Sequence, residues 1–130
     1  MPAYSNALPP NAIWPGDFAQ VWSAEQPAPG TGGGAASQRV ALGVKEGGPG
    51  GFSVTGFFSG APGAFEVDVQ VSDVDVDAQY QTCLNGNVTV VDATNQTFHY
   101  DGSTVLATFV RLLMRSRTNA VNVTADVRRL

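Results

Sequence analysis

Asp73-x-Asp-x-Asp77 is the tightest set of chemically capable side chains in the sequence. Carboxylates two residues apart can gather around a hard cation such as Ca²⁺, which takes six to eight oxygen ligands. The twelve-residue loop that would complete such a site is missing. Ala78 stands where a glycine must make the sharp turn, and Leu84 stands where the bidentate Glu belongs. Alternating Asp on a solvated strand or loop accounts for the same letters, so no metal or cofactor is expected. His99, the one histidine, lies between Phe98 and Tyr100, and strand alternation would send it to the face opposite both rings. A lone imidazole without neighbouring ligands is weak metal evidence. Ser-His-Asp chemistry would need a nucleophile on a recognisable turn, and none is present. Gly30-Thr31-Gly32-Gly33-Gly34 lacks the Gly-Lys-Ser/Thr ending of a phosphate loop. Cys83 is alone, which excludes an intrachain disulfide and a cysteine zinc framework and suits a buried thiol. The residues point away from an enzyme, and no catalytic group is assigned.

The elements that must position these side chains read as strands. Phe65-Glu-Val-Asp-Val-Gln-Val71 and Val121-Asn-Val-Thr-Ala-Asp-Val127 alternate apolar and polar residues without a break. Arg39 to Val44, Phe52 to Phe58, Gln79 to Cys83, Asn87 to Val91, Gln96 to Tyr100 and Thr104 to Arg115 supply the other candidates. The Ser59-Gly60-Ala61-Pro62-Gly63 cluster predicts a hairpin joining 52–59 to 64–71. The apolar phase shifts from odd to even positions after Val71, which predicts a loop carrying Asp73, Asp75 and Asp77. Asn85-Gly86 is a turn signal. Thr104 to Arg115 is apolar on much of both faces and should be a central strand, with Arg111 and Arg115 on one face.

Residues 1–38 read differently, as a Gly/Pro-rich N-terminal arm preceding a β-sandwich domain at 39–130. Trp14, Phe18 and Trp22 are spaced by four, which fits a short helix started by Pro15 and Asp17. These rings either pack back onto their own domain or anchor on a neighbouring subunit. The formal charge is −4. It divides unevenly: residues 1–77 hold eight acidic and two basic side chains, and residues 78–130 three acidic and five arginines. That split suits complementary patches between copies. The acidity argues against a nucleic-acid binder, which needs a concentrated basic footprint. No 18-residue apolar run and no secretory leader pattern appears, so no membrane partner is expected.

About eight strands with short turns, and no segment with the length and period of a crossover helix, predict an all-β fold. A two-sheet antiparallel β-sandwich is expected, jelly-roll-like first and immunoglobulin-like second. Sandwich faces can present aromatic platforms to glycans, with Trp14, Trp22, Tyr80 and Tyr100 as candidates.

Phe52-Ser53-Val54, Ser59 through Gln70, Ala107-Thr108-Phe109-Val110-Arg111-Leu112 and Asn119 through Thr124 resemble small structural proteins of tailed bacteriophages. Within that class a jelly-roll capsid decoration, or cement, protein best suits the size and the arm. The resemblance implies a protein that holds rather than converts. It would sit on the outer capsid surface of the virion, bind the major capsid protein and copies of itself, and bridge neighbouring capsomers. Trp14, Phe18 and Trp22 would then be anchors, Arg111 and Arg115 would make charged contacts, and Asp73, Asp75 and Asp77 would meet a basic surface. An attachment module of a tail, baseplate or head fibre is the alternative.

Overall fold

Alternation becomes strands throughout the chain. The computed structural model describes residues 12–30, 35–43, 51–93 and 97–130. They form β1 (Phe18–Glu25), β2 (Val40–Ala41), β3 (Phe52–Phe58), β4 (Gly63–Ser72), β5 (Gln81–Ala93), β6 (Thr97–Gly102), β7 (Phe109–Arg117) and β8 (Val123–Arg129). One turn of 3₁₀ helix, Asp77–Gln79, precedes β5.

The strands make two four-stranded antiparallel sheets, ordered β1-β8-β3-β6 and β2-β7-β4-β5, packed as a sandwich. The first strand pairs with the last, the second with the seventh, the third with the sixth and the fourth with the fifth. β8–β3 and β7–β4 pairs then complete each sheet. As the apolar run predicts, β7 is an interior strand, with Val110, Leu112, Leu113 and Met114 all buried.

The inner faces follow the period of two. Phe52, Val54 and Phe58 of β3 meet Phe65, Val67 and Val69 of β4, Leu112 and Met114 of β7, and Val123, Ala125 and Val127 of β8. Phe58, Phe65 and Phe98 form a ring cluster with centroids 4.9–5.8 Å apart, in the tilted geometry aromatic pairs prefer. Each such ring contributes about 1.5–3 kcal/mol by leaving water.

Three local expectations are overturned. The 59–62 turn does not close a hairpin, because β3 and β4 lie in different sheets. Both strands have an apolar stripe to bury, and rolling the chain over between sheets brings Phe58 and Phe65 together from opposite sides. Asn85-Gly86 does not separate two strands either; it lies inside the continuous β5. Asp68 pairs with Asn87 and Gln70 with Thr82, so residues 83–86 bulge out opposite Val69 alone. Asn85 has φ 57°, and a Cβ at Gly86 would fall 2.7 Å from the Val69 carbonyl oxygen. The turn chemistry is spent on the bulge.

The third correction concerns the arm. Residues 18–25 are strand, not helix, and pair with β8, so the sheet is built from both sides of residue 38. A register shift between Gln20 and Trp22 lets Val21 and Trp22 both turn inward. Trp22 is 0% exposed, and that burial outweighs the helical spacing of the three rings. Residues 13 and 37 are also tied down: Ile13 N donates to Ala41 O at 2.9 Å and Ser37 N to Leu112 O at 2.8 Å. The rest of the expected arm, 1–11 and 31–34, lies outside the described residues.

Candidate functional site

Each sheet has one outer face, and the two faces differ in kind. On the β2-β7-β4-β5 sheet, even positions of β4 and odd positions of β7 point outward and meet in a charge network. Asp68, 2% exposed, accepts from Arg115 Nε at 2.5 Å, Asn87 Nδ2 at 2.5 Å and Thr82 Oγ1 at 3.2 Å. One row along, Arg111 Nε donates to Gln70 Oε1 at 2.8 Å and its Nη1 to Asp77 Oδ1 at 3.0 Å. Arg39 pairs with Asp75 at 2.7 Å and also with Asp77. The Tyr80 ring lies between the two guanidiniums, 4.2 Å from Arg111 and 5.3 Å from Arg39, and its hydroxyl donates to Asp75. Burial, reinforced by the Asp75 hydrogen bond, pushes the Tyr80 phenol well above its usual range.

The structure therefore brings Arg111, Asp75 and Asp77 together and gives Arg115 to Asp68. Asp73 stands apart, 3.5 Å from Thr108 Oγ1. Arg39 and Arg111 supply the positive charge that a cation would have brought to Asp75 and Asp77. Among the described residues no group of three His, Cys, Asp or Glu is arranged to hold a metal ion. A groove of about 290 Å³ beside Asp73 is lined by Val71, Val74, Gln79, Gln81 and Leu106, and Asp73 is the one ionisable side chain in its lining.

Behind the bulge, Tyr100 of β6 reaches across the sandwich. Its hydroxyl donates to Leu84 O at 2.7 Å, while the Cys83 thiol lies 3.1 Å from that hydroxyl and 3.2 Å from Val69 O. Burial pushes the Cys83 thiol up, so the thiolate needed for reaction is scarce at neutral pH.

The β1-β8-β3-β6 sheet presents an open face. Its side chains fall in rows set by the register. Phe18, Arg128, Ser53 and Asp101 form one row; Gln20, Asp126, Thr55 and His99 the next; Thr124, Phe57 and Thr97 the third. Phe18 and Phe57 are 58% and 50% exposed. Arg128 lies over the Phe18 ring at 5.6 Å, and Thr55 Oγ1 is 3.3 Å from His99 Nδ1.

Of the three aromatic anchors read from sequence, Phe18 is on this face and Trp14 is half-exposed against Gly43, where a Cβ would overlap its ring. Trp22 is inside the core and is not presented to a neighbour. The rings expected as a glycan platform do not share a face either, since Trp22, Tyr80 and Tyr100 are buried. Sequence reasoning missed Asp68, Arg39 and Arg129. Arg129 is 1% exposed and donates to the carbonyls of Gly43 (2.7 Å) and Gly51 (3.0 Å). The alternation Val123, Ala125, Val127, Arg129 already carried that signal.

No protein-family model, no curated protein and no solved structure matches this chain.

Proposed function

We propose that the chain is a non-enzymatic virion structural protein with a jelly-roll sandwich, which binds the outer surface of a capsid lattice and cements neighbouring capsomers. The observation that carries this reading is the strand order. Pairing first with last, second with seventh, third with sixth and fourth with fifth is what a long antiparallel hairpin gives when it is rolled into two sheets. Eight-stranded double sheets of that kind recur in viral capsid domains and lectins. The resemblance of residues 52–70, 107–112 and 119–124 to tailed-phage structural proteins supports a place in the virion. The surface chemistry supports the reading: the ionisable cluster is neutralised internally by ion pairs, and the open face carries exposed aromatics.

In this reading Trp14 and Phe18 are the exposed aromatic anchors, because buried aromatic contacts dominate interface energetics. Co-sedimentation of the purified chain with phage capsids stripped of their decoration protein tests it. The wild-type chain should pellet with the capsids and saturate at a fixed number per capsomer. Trp14→Ala with Phe18→Ala should weaken binding by about 2 kcal/mol or more. Failure of the wild-type chain to bind any such lattice contradicts the proposal.

A further inference from the structure

We propose that the outer face of the β1-β8-β3-β6 sheet is a self-association surface, occupied by a second copy of this chain about a two-fold axis running along β3. The register makes the case. Ser53 of β3 is flanked in its row by Arg128 on β8 and Asp101 on β6. Thr55 is flanked by Asp126 on β8 and His99 on β6. Phe57 is flanked by Thr124 and Thr97. Rotating a copy by half a turn about β3 exchanges the places of β8 and β6 while keeping the rows. Arg128 then faces Asp101 of the second copy, Asp126 faces its His99, and Phe57 meets its own counterpart on the axis.

The pattern is thus charge-complementary in the Arg128–Asp101 row, and the symmetry satisfies that pair twice, as an isologous interface requires. Among the described residues Arg128 and Asp101 make no ion pair within one chain. Half-exposed Phe57 gains an apolar partner. Aligned sheets pack about 10 Å apart with strands within about 30° of each other, a geometry that leaves room for side chains of this length. With the axis along β3, only β8, β3 and β6 of one copy lie over β6, β3 and β8 of the other. Three strands about 4.8 Å apart and seven residues long, at about 3.3 Å each, give an overlap near 14 by 23 Å. Two such faces bury roughly 650 Å², well short of the roughly 1,200 Å² of a standard stable complex, so the dimer is weak and transient.

This deepens the cementing reading but stands apart from it, since a chain that dimerises without binding capsids would keep the one and sink the other. Sedimentation velocity on the full chain should show a concentration-dependent dimer with a Kd in the micromolar range or weaker. Arg128→Glu alone should weaken it by about tenfold or more, and added Asp101→Arg should restore it, because the pair is inverted with its complementarity intact. Asp101 also accepts from Ser103 N at 2.9 Å, so a second variant guards against misfolding. Phe57→Glu, at an exposed site, puts two carboxylates on the axis and should abolish dimerisation while far-UV dichroism is unchanged. A chain that stays monomeric at high concentration overturns the proposal, as does a dimer indifferent to both Arg128→Glu and Phe57→Glu. A monomer that loses capsid binding on Phe57→Glu assigns this face to the capsid and overturns it equally.

Discussion

Asp68 is the side chain whose environment is most demanding. It is a carboxylate almost removed from water, with Arg115, Asn87 and Thr82 supplying its donors. Removing a charged partner from a buried carboxylate costs about 1–3 kcal/mol, whereas replacing both partners by apolar groups can recover much of that. Arg115→Met should therefore lower the urea unfolding free energy by about that amount, and Arg115→Met with Asp68→Leu should be more stable than the single variant. Additive losses in the cycle would mean the pair is not coupled. The two buried tyrosines give a second test. Burial, followed by hydrogen bonding, raises the Tyr80 and Tyr100 phenols above their usual value, so the folded chain keeps protons that the unfolded chain releases near pH 10. With fewer protons bound in the unfolded state, stability falls as pH rises past about 10, by at most about 1.4 kcal/mol per unit for each tyrosine. Absorbance at the phenolate band should show two of the three tyrosines ionising only as the protein unfolds. Normal titration of all three in the folded chain would refute the buried network. Alternation placed Arg111 beside Arg115 on one face, but the partners come from β4 and the 73–80 loop. Pairings between residues 34 to 47 positions apart depend on sheet order, which a periodic pattern does not encode.

At the scale of elements, β3 and β8 were legible because alternation and burial agree along their lengths, and β4 and β7 because their apolar residues mark strands even where both faces are buried. β1 was not. Its Pro- and Gly-rich flanks hide a strand whose register shift buries two consecutive residues, Val21 and Trp22, and that breaks the period a reader looks for. The 59–62 linker was misleading for a different reason: local turn chemistry is the same whether the chain folds back within a sheet or crosses to another. The correction at β1 also bears on truncation. Residues 1–38 read as an arm preceding the domain, but they contain β1 and Trp22, so deleting residues 2–38 should abolish cooperative unfolding. A folded, cooperative 39–130 fragment would show that β1 is dispensable to the sandwich.

At the scale of the molecule, the two outer faces divide the work. One is stiffened by Arg39, Arg111, Arg115 and their carboxylates around Tyr80 and Asp68. The other keeps Phe18, Phe57 and Arg128 toward solvent in rows set by the register. A sandwich with one committed face and one open face is suited to the proposed bridging of surfaces. The most direct measurement is cryo-electron microscopy of phage particles produced in the presence of this chain, with the chain traced in the density. The account predicts density on the outer capsid surface between capsomers, with Trp14 and Phe18 against a neighbouring subunit. Absence of the chain from the capsid shell, with density at the tail, at a fibre or nowhere on the particle, would contradict it.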